Sequence, residues 1–190
     1  MTTTPDVSIV IACYNAGTTL AETIASIQQQ SLRTWELICV DDGSTDDTPA
    51  LLATAAASDA RIRTLRQPNA GPASARNAGV RIACADRVFF IDADDLLLRP
   101  DALELLLSAA QNTDHNTIIT AGTDLLDQHG QRLNVPQFPA TADFSPARLL
   151  QCNPLISVLA LVPRELLGDD PFHSEMPPCE DWDLWLSLAS

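Results

Sequence analysis

Val7 to Ala12 (VSIVIA) is a β-branched apolar run closed by Asn15, Ala16 and Gly17, which predicts a first buried strand. From Thr18 or Thr19 to Gln30, Leu20, Ile24 and Ile27 share one face and Glu22 lies near the start, so a capped amphipathic helix follows. Trp35 to Val40 (WELICV) predicts a second strand that ends in Asp41, Asp42 and Gly43, after which Ser44, Thr45 and Asp46 offer caps for a helix through Ala57. Ile62 to Leu65 is a shorter third strand. The turn residues of QPNAGPASARNAG, Gln67 to Gly79, then lead into a helix carrying Ala73, Ala75, Arg76, Ala78 and Val80. The fourth strand opens VFFIDADDLL, Val88 to Leu97: four apolar residues in a row suit a strand buried on both faces, and a sheet core does not accept the aspartates that follow. Strand and helix alternate up to this point with short connections, which predicts a three-layer α/β fold around a mainly parallel sheet, strand ends gathered on one edge.

Beyond a helix from Pro100 to about Ala110 the rhythm changes. Thr117 to Asp124 and Ile156 to Val162 read as strands. The polar, turn-rich stretch between them, Asp127 to Pro146, reads as a hairpin or an excursion over the sheet, and Asp169 to Pro178 as an exposed loop. EDWDLWLSLAS, from Glu180, predicts a closing amphipathic helix with Trp182, Trp185, Leu186 and Ala189 on its apolar side.

Composition narrows the choice of partners. The chain has 190 residues, 46% of them hydrophobic, enough for one folded domain with a real core. A formal net charge of −14 argues against nucleic acid or anionic lipid held by charge alone. No apolar run approaches the roughly 20 residues of a membrane span, and the N-terminus lacks a basic leader, so a cytoplasmic setting is expected. The five cysteines, Cys13, Cys39, Cys84, Cys152 and Cys179, are odd in number and lack C-x-x-C spacing, which speaks against disulfides and structural zinc.

Acids mark the strand ends. Asp92, Asp94 and Asp95 must sit at the carboxyl mouth of the fourth strand, where ligands bind in open parallel sheets. Two carboxylates about 4 Å apart repel by roughly 4 kcal/mol at an effective dielectric near 20. Three crowded together need solvent, raised pKa values or a hard cation such as Mg²⁺ or Mn²⁺, which oxygen ligands suit better than zinc. The plainer alternative is that Asp94 or Asp95 caps a short turn at Leu96 to Leu98.

VSIVIACYNAG, VDDGSTDDT, NAGPASARNAG, FFIDADD and EDWDLW occur in this order along almost the whole chain, and the set resembles the family 2 glycosyltransferases of the GT-A fold. The resemblance implies a single domain over 1–190, with a nucleotide-sugar-binding half at 1–112 and an acceptor-side half at 113–190. It implies that Asp42, with Asp41 close behind, binds the nucleotide base, a carboxylate accepting from the N3–H of uracil, a donor cytosine lacks. Ala12 and Tyr14 would line the same pocket. Arg76 would hold a phosphate or pair with an acid of the cluster. Asp92 is assigned towards ribose and Asp94 to the metal, with Asp95 as its neighbour. Gly71 and Gly79 are expected to serve backbone geometry and packing. Asp181 of the Glu180-Asp181 pair would be the catalytic base. Each residue also has a plain structural reading: a turn for Asp41-Asp42-Gly43, a solvated helix arginine for Arg76, a helix cap for Asp181. His115, His129 and His173 have no metal-site spacing, and of these only His173 lies near the acidic pair.

The expected activity is therefore inverting transfer of a sugar from a UDP-sugar to a saccharide or lipid-linked acceptor, with Mn²⁺ or Mg²⁺, in surface polysaccharide or glycoconjugate synthesis, the enzyme cytoplasmic or peripheral at the membrane. Relatives of this kind continue past the acidic-pair helix with a mobile loop and often a histidine for the metal. The sequence supplies neither, so the acceptor half reads as cut short. Two rivals stand beside this reading. A haloacid-dehalogenase-type phosphatase also places D-x-D after a buried strand, but on its first strand. A domain of the same fold that binds sugar nucleotides without turnover is the other.

Overall fold

The computed structural model describes residues 4–120, 122–127, 129–133, 158–175 and 179–189. Most of the polar stretch from 134, the start of the strand expected at Ile156, and Cys152 lie outside these residues. The elements in chain order are β1 (Val7–Cys13), α1 (Leu20–Gln28), β2 (Trp35–Asp41), α2 (Thr48–Ser58), β3 (Ile62–Arg66), α3 (Gly71–Ile82), β4 (Arg87–Phe90), α4 (Ala102–Gln111), β5 (Ile119–Thr120), β6 (Ala160–Pro163), α5 (Arg164–Leu167) and α6 (Glu180–Ala189).

Among the described residues six strands form one sheet in the order β3-β2-β1-β4-β6-β5. β1 pairs in parallel with β2 and β4, and β2 with β3, whereas β6 runs antiparallel to β4 and β5. The sheet is thus mainly parallel, as the alternating elements predict, with β6 the reversed strand.

The continuous apolar runs are explained by burial on both faces. Ile9 and Ile11 of β1 and Phe89 of β4 face Leu20, Ile24 and Ile27 of α1, Leu52 of α2 and Leu103 and Leu106 of α4. Val10 and Phe90 face the other layer, where Ala75, Ala78 and Val80 of α3 meet Leu184 and Trp185 of α6. α3 lies close because its facing residues are small: a Cβ added to Gly79 would stand 2.4 Å from Val10 Cγ1. Gly71 instead opens α3 at φ +88°, a conformation L side chains rarely adopt.

Several local expectations change. Among the described residues the strand foreseen over Thr117 to Asp124 is limited to Ile119–Thr120, and a short antiparallel bridge joins Leu126 and Arg132. Pro100 precedes its helix rather than opening it. α1 has no side-chain cap. On α6 the buried positions are Glu180, Leu184 and Trp185, and Trp182 is only half-buried, because the stripe facing the sheet begins at Glu180. Cys13, Cys39, Cys84 and Cys179 are free thiols. No helix among the described residues is long and apolar enough to cross a membrane.

Candidate active site

The chain moves from β1 outward to β2 and β3, then crosses back to place β4 on the other side of β1. That reversal makes the carboxyl ends of β1 and β4 the topological switch point, the place at which open α/β sheets bind ligands. Tyr14 and Asn15 leave β1 there, and Asp92 stands two residues beyond β4.

The β1 and β2 mouths are laced together. Asn15 adopts φ +50°, which asparagine tolerates better than most residues. Its backbone N–H donates to Ser44 Oγ at 3.0 Å and its Oδ1 accepts from Thr45 N at 2.9 Å. Ala16 N donates to Thr48 Oγ1 and Gly17 N to Asp46 Oδ2, at 2.8 and 2.9 Å. Ser44, Thr45 and Asp46, read from sequence as helix caps, therefore brace this rim, although Asp46 Oδ1 also accepts from Thr48 N at the start of α2. Ala12 is half-buried and the Tyr14 ring is exposed, 53% of its surface facing solvent.

Asp41 and Asp42 are both buried. Asp41 Oδ1 accepts from Ser44 N at 2.9 Å, and Oδ2 lies 3.3 Å from Arg66 Nε without forming a hydrogen bond. Asp42 holds the next loop: Oδ1 accepts from Gln67 Nε2 at 2.7 Å and Ala70 N at 3.0 Å, and Oδ2 from Gly71 N at 2.8 Å. Each carboxylate oxygen has two lone pairs, so these bonds leave room on Oδ2 for one more donor.

The D-A-D-D acids form a turn closed by Asp95 N donating to Asp92 O at 3.2 Å. α1 pins it, Thr23 Oγ1 donating to Ala93 O and Leu97 N to Ser26 Oγ. Asp94 is exposed at the turn, while Asp92 and Asp95 are half-buried. No helix follows at Leu96 to Leu98, so neither Asp94 nor Asp95 is a helix cap.

Arg76 joins the two acidic motifs. It is buried on α3, Nη2 donating to Asp92 Oδ1 and Nη1 to Glu180 Oε1, each at 2.8 Å. Its guanidinium carbon lies 5.4 Å from the centroid of the Phe172 ring. Burial pushes its pKa down, yet the Asp92 and Glu180 carboxylates together hold it above the usual guanidinium value. Of the roles open to Arg76, pairing with an acid of the cluster is the one occupied.

Asp181 is half-buried in the first turn of α6, and its Oδ1 accepts from Trp182 N at 2.7 Å. Beside it Asp183 Oδ2 pairs with His173 Nδ1 at 2.6 Å. Asn77 clamps the backbone of Phe172, donating to its carbonyl at 2.8 Å and accepting from its N–H at 2.9 Å. The inward turn of Glu180, the Asn77 clamp and the Asp183–His173 pair are not legible from local pattern. One signal for Glu180 exists: it sits one turn ahead of Leu184, so a carboxylate heads an apolar stripe.

Among the described residues no three or more His, Cys, Asp or Glu side chains are arranged around one cation position. Mg²⁺ and Mn²⁺ in phosphate sites take only one or two protein carboxylates and complete their shells with phosphate and water. An exposed Asp94 with the half-buried Asp95 beside it offers hard oxygen donors of that number and kind.

A mainly parallel sheet between two helical layers, with acid-ended strands at its switch point, is the architecture of the GT-A fold. The model of the family described as "Glycosyl transferase family 2" matches residues 8–149, and the chain belongs to that family. A Rickettsia felis glycosyltransferase is 29% identical over 97% of this chain, which spans only 30% of that protein. Among solved structures, S. aureus TarS 1-349 in complex with UDP-GlcNAc superposes with a TM-score of 0.80 at 20% identity, covering 97% of this chain and 53% of its own. A mannosyltransferase of Pyrobaculum calidifontis in complex with GDP-Man and Mn²⁺ gives 0.68 at 20% identity, over 95% and 51%. The chain is thus about half the length of these structures and under a third of the Rickettsia relative.

Proposed function

We propose that the chain is the catalytic domain of an inverting glycosyltransferase that moves a sugar from a UDP-sugar to an acceptor hydroxyl in surface polysaccharide or glycoconjugate synthesis. The observation that carries this is the convergence of Asp92, at the mouth of β4, and Glu180, at the head of α6, on one buried guanidinium. It supports a shared site in which the donor-side turn and the acceptor-side acidic pair meet.

Asp42 Oδ2 offers its remaining lone pair to the N3–H of uracil, Ala12 and Tyr14 line the base pocket with Asp41 behind them, and Asp92 faces the ribose. Asp181 takes the proton of the acceptor hydroxyl as its oxygen attacks the anomeric carbon. The new C–O bond forms while the bond from that carbon to the diphosphate oxygen breaks, its electron pair leaving on UDP. Attack from the face opposite the diphosphate inverts the configuration. A general base of this kind contributes about 10²- to 10⁴-fold. Asp94, with Asp95 beside it, would hold Mn²⁺ or Mg²⁺, whose chemistry is to offset negative charge on the diphosphate. The UDP-GlcNAc bound by TarS favours uracil, and the Mn²⁺ of the mannosyltransferase favours a metal.

The test is a calorimetric and thermal-shift panel of UDP, GDP and CDP sugars on the whole protein, with Mn²⁺ and with EDTA. UDP should bind best, lose affinity in EDTA and lose it equally in Asp94→Ala. Equal affinity with and without metal sinks the metal role, and equal affinity for UDP and CDP sinks the uracil assignment.

A further inference from the structure

α3 ties the nucleotide half to the segment 168–189 at three points. Arg76 holds Glu180, Asn77 clamps the backbone of Phe172, and Arg81 pairs with Asp170. Phe172 is buried against Phe90 of β4, ring centroids 5.2 Å apart and nearly perpendicular. Of the three ties, Arg76 also reaches the donor side, through Asp92, whose side chain keeps 33% of its surface open.

The guanidinium is a rigid planar fork, so placing its two terminal nitrogens on different carboxylates fixes the whole group. A ligand that draws Asp92 changes the plane in which Arg76 lies. Glu180, with only 11% of its side-chain surface exposed, has little water to turn to and must follow the cation or stand buried without it. Because Glu180 and Asp181 are adjacent in the first turn of α6, a shift of one carries the other.

We infer that Glu180 is a positioning residue which, through Arg76, couples occupancy of the donor site to the placement of Asp181. The inference rests on the proposed reading of Asp92 as a donor-side residue. It gives Glu180 a role that needs no contact with either substrate.

Hydrogen exchange of the whole protein, with and without UDP and Mn²⁺, tests it by following peptides over 180–189. In the wild type UDP should slow exchange there. In Glu180→Gln UDP should still bind, within about tenfold of the wild type, a size typical of coupling between sites, and the slowing should vanish. Glu180→Asp, which keeps the charge, should recover part of the slowing. Arg76→Lys, which keeps the charge but loses the fork, should uncouple in the same way and serves if Glu180→Gln does not fold. If UDP fails to bind the wild type, the donor reading falls and the coupling with it. If UDP binds but leaves 180–189 unchanged, or slows it equally in Glu180→Gln, the coupling alone is overturned.

Discussion

Arg76 Nη1 donates to Glu180 Oε1 across 2.8 Å although 104 residues separate them in the chain. The same guanidinium holds Asp92, so one cation sits between a carboxylate that follows β4 and one that opens α6. Such a triad carries a net negative charge in a partly dry site. It is tolerable because the charge-assisted bonds to Arg76 are well formed and Asp92 retains solvent.

Removing that cation should be costly. Breaking a buried ion pair from one side costs about 3–5 kcal/mol, and the partial exposure of Asp92 places Arg76→Gln near the lower end. Urea unfolding should show a lower midpoint with an unchanged slope. A midpoint equal to wild type would mean that the two acids find other partners.

If Asp181 is the proposed base, Asp181→Asn should separate chemistry from binding. Loss of a negative charge from the positive end of α6 costs only about 0.3–1 kcal/mol, too little to unfold the domain. UDP affinity and melting temperature should stay close to wild type while transfer by the whole protein falls about 10²-fold or more. A parallel fall in UDP affinity would assign the base elsewhere.

Asp42→Asn should not be a pure binding mutation. Its carboxylate accepts three hydrogen bonds, and an amide must turn its NH₂ towards at least one of those donors. A buried donor left unsatisfied costs about 1–3 kcal/mol. The melting temperature should drop together with UDP affinity. Loss of affinity at full stability would show that the loop at 67–71 is held by other contacts.

Gly79→Ala reverses an ordinary rule. Alanine in a helix is normally about 0.5–1 kcal/mol better than glycine. Here the added methyl would meet Val10 at 2.4 Å, and overpacking costs about 1–3 kcal/mol. Chemical denaturation should find the single variant destabilised and Gly79→Ala with Val10→Ala less destabilised than the sum of the two. Simple additivity would place the clash elsewhere.

Acid sensitivity has a named source at the opposite edge of the sheet. Burial pushes the Glu36 pKa up, but the Ser8 hydroxyl at 2.6 Å, the Cys84 N–H at 2.6 Å and Arg63 together bring it below the usual carboxylate value. A lowered folded-state pKa means stability that is complete above the unfolded value and is lost as pH falls through the folded one. The difference in unfolding free energy between wild type and Glu36→Gln should therefore be flat above about pH 5 and shrink below about pH 4. A difference that keeps its size to pH 2 would exclude Glu36 as the source.

What the sequence by itself determined was the frame. VFFI is apolar at every position and VSIVIAC at all but Ser8, a pattern that suits strands covered on both faces, and the helices between them force a parallel sheet whose carboxyl ends share one edge. That alone brings Tyr14, Asp41, Asp42 and Asp92 to the same rim. Tertiary structure decided which of these groups are engaged and by what. Asp42 spends three lone pairs on the loop before α3, Ser44 and Thr45 brace Asn15 instead of capping α2, and Leu184 takes the buried place expected of Trp182. Above all, Glu180 rather than Asp181 turns inward, because a buried guanidinium from α3 waits on that side of the helix. Local periodicity records which residues avoid water. It carries no record of a partner 104 positions away, and an ion pair depends on that partner alone.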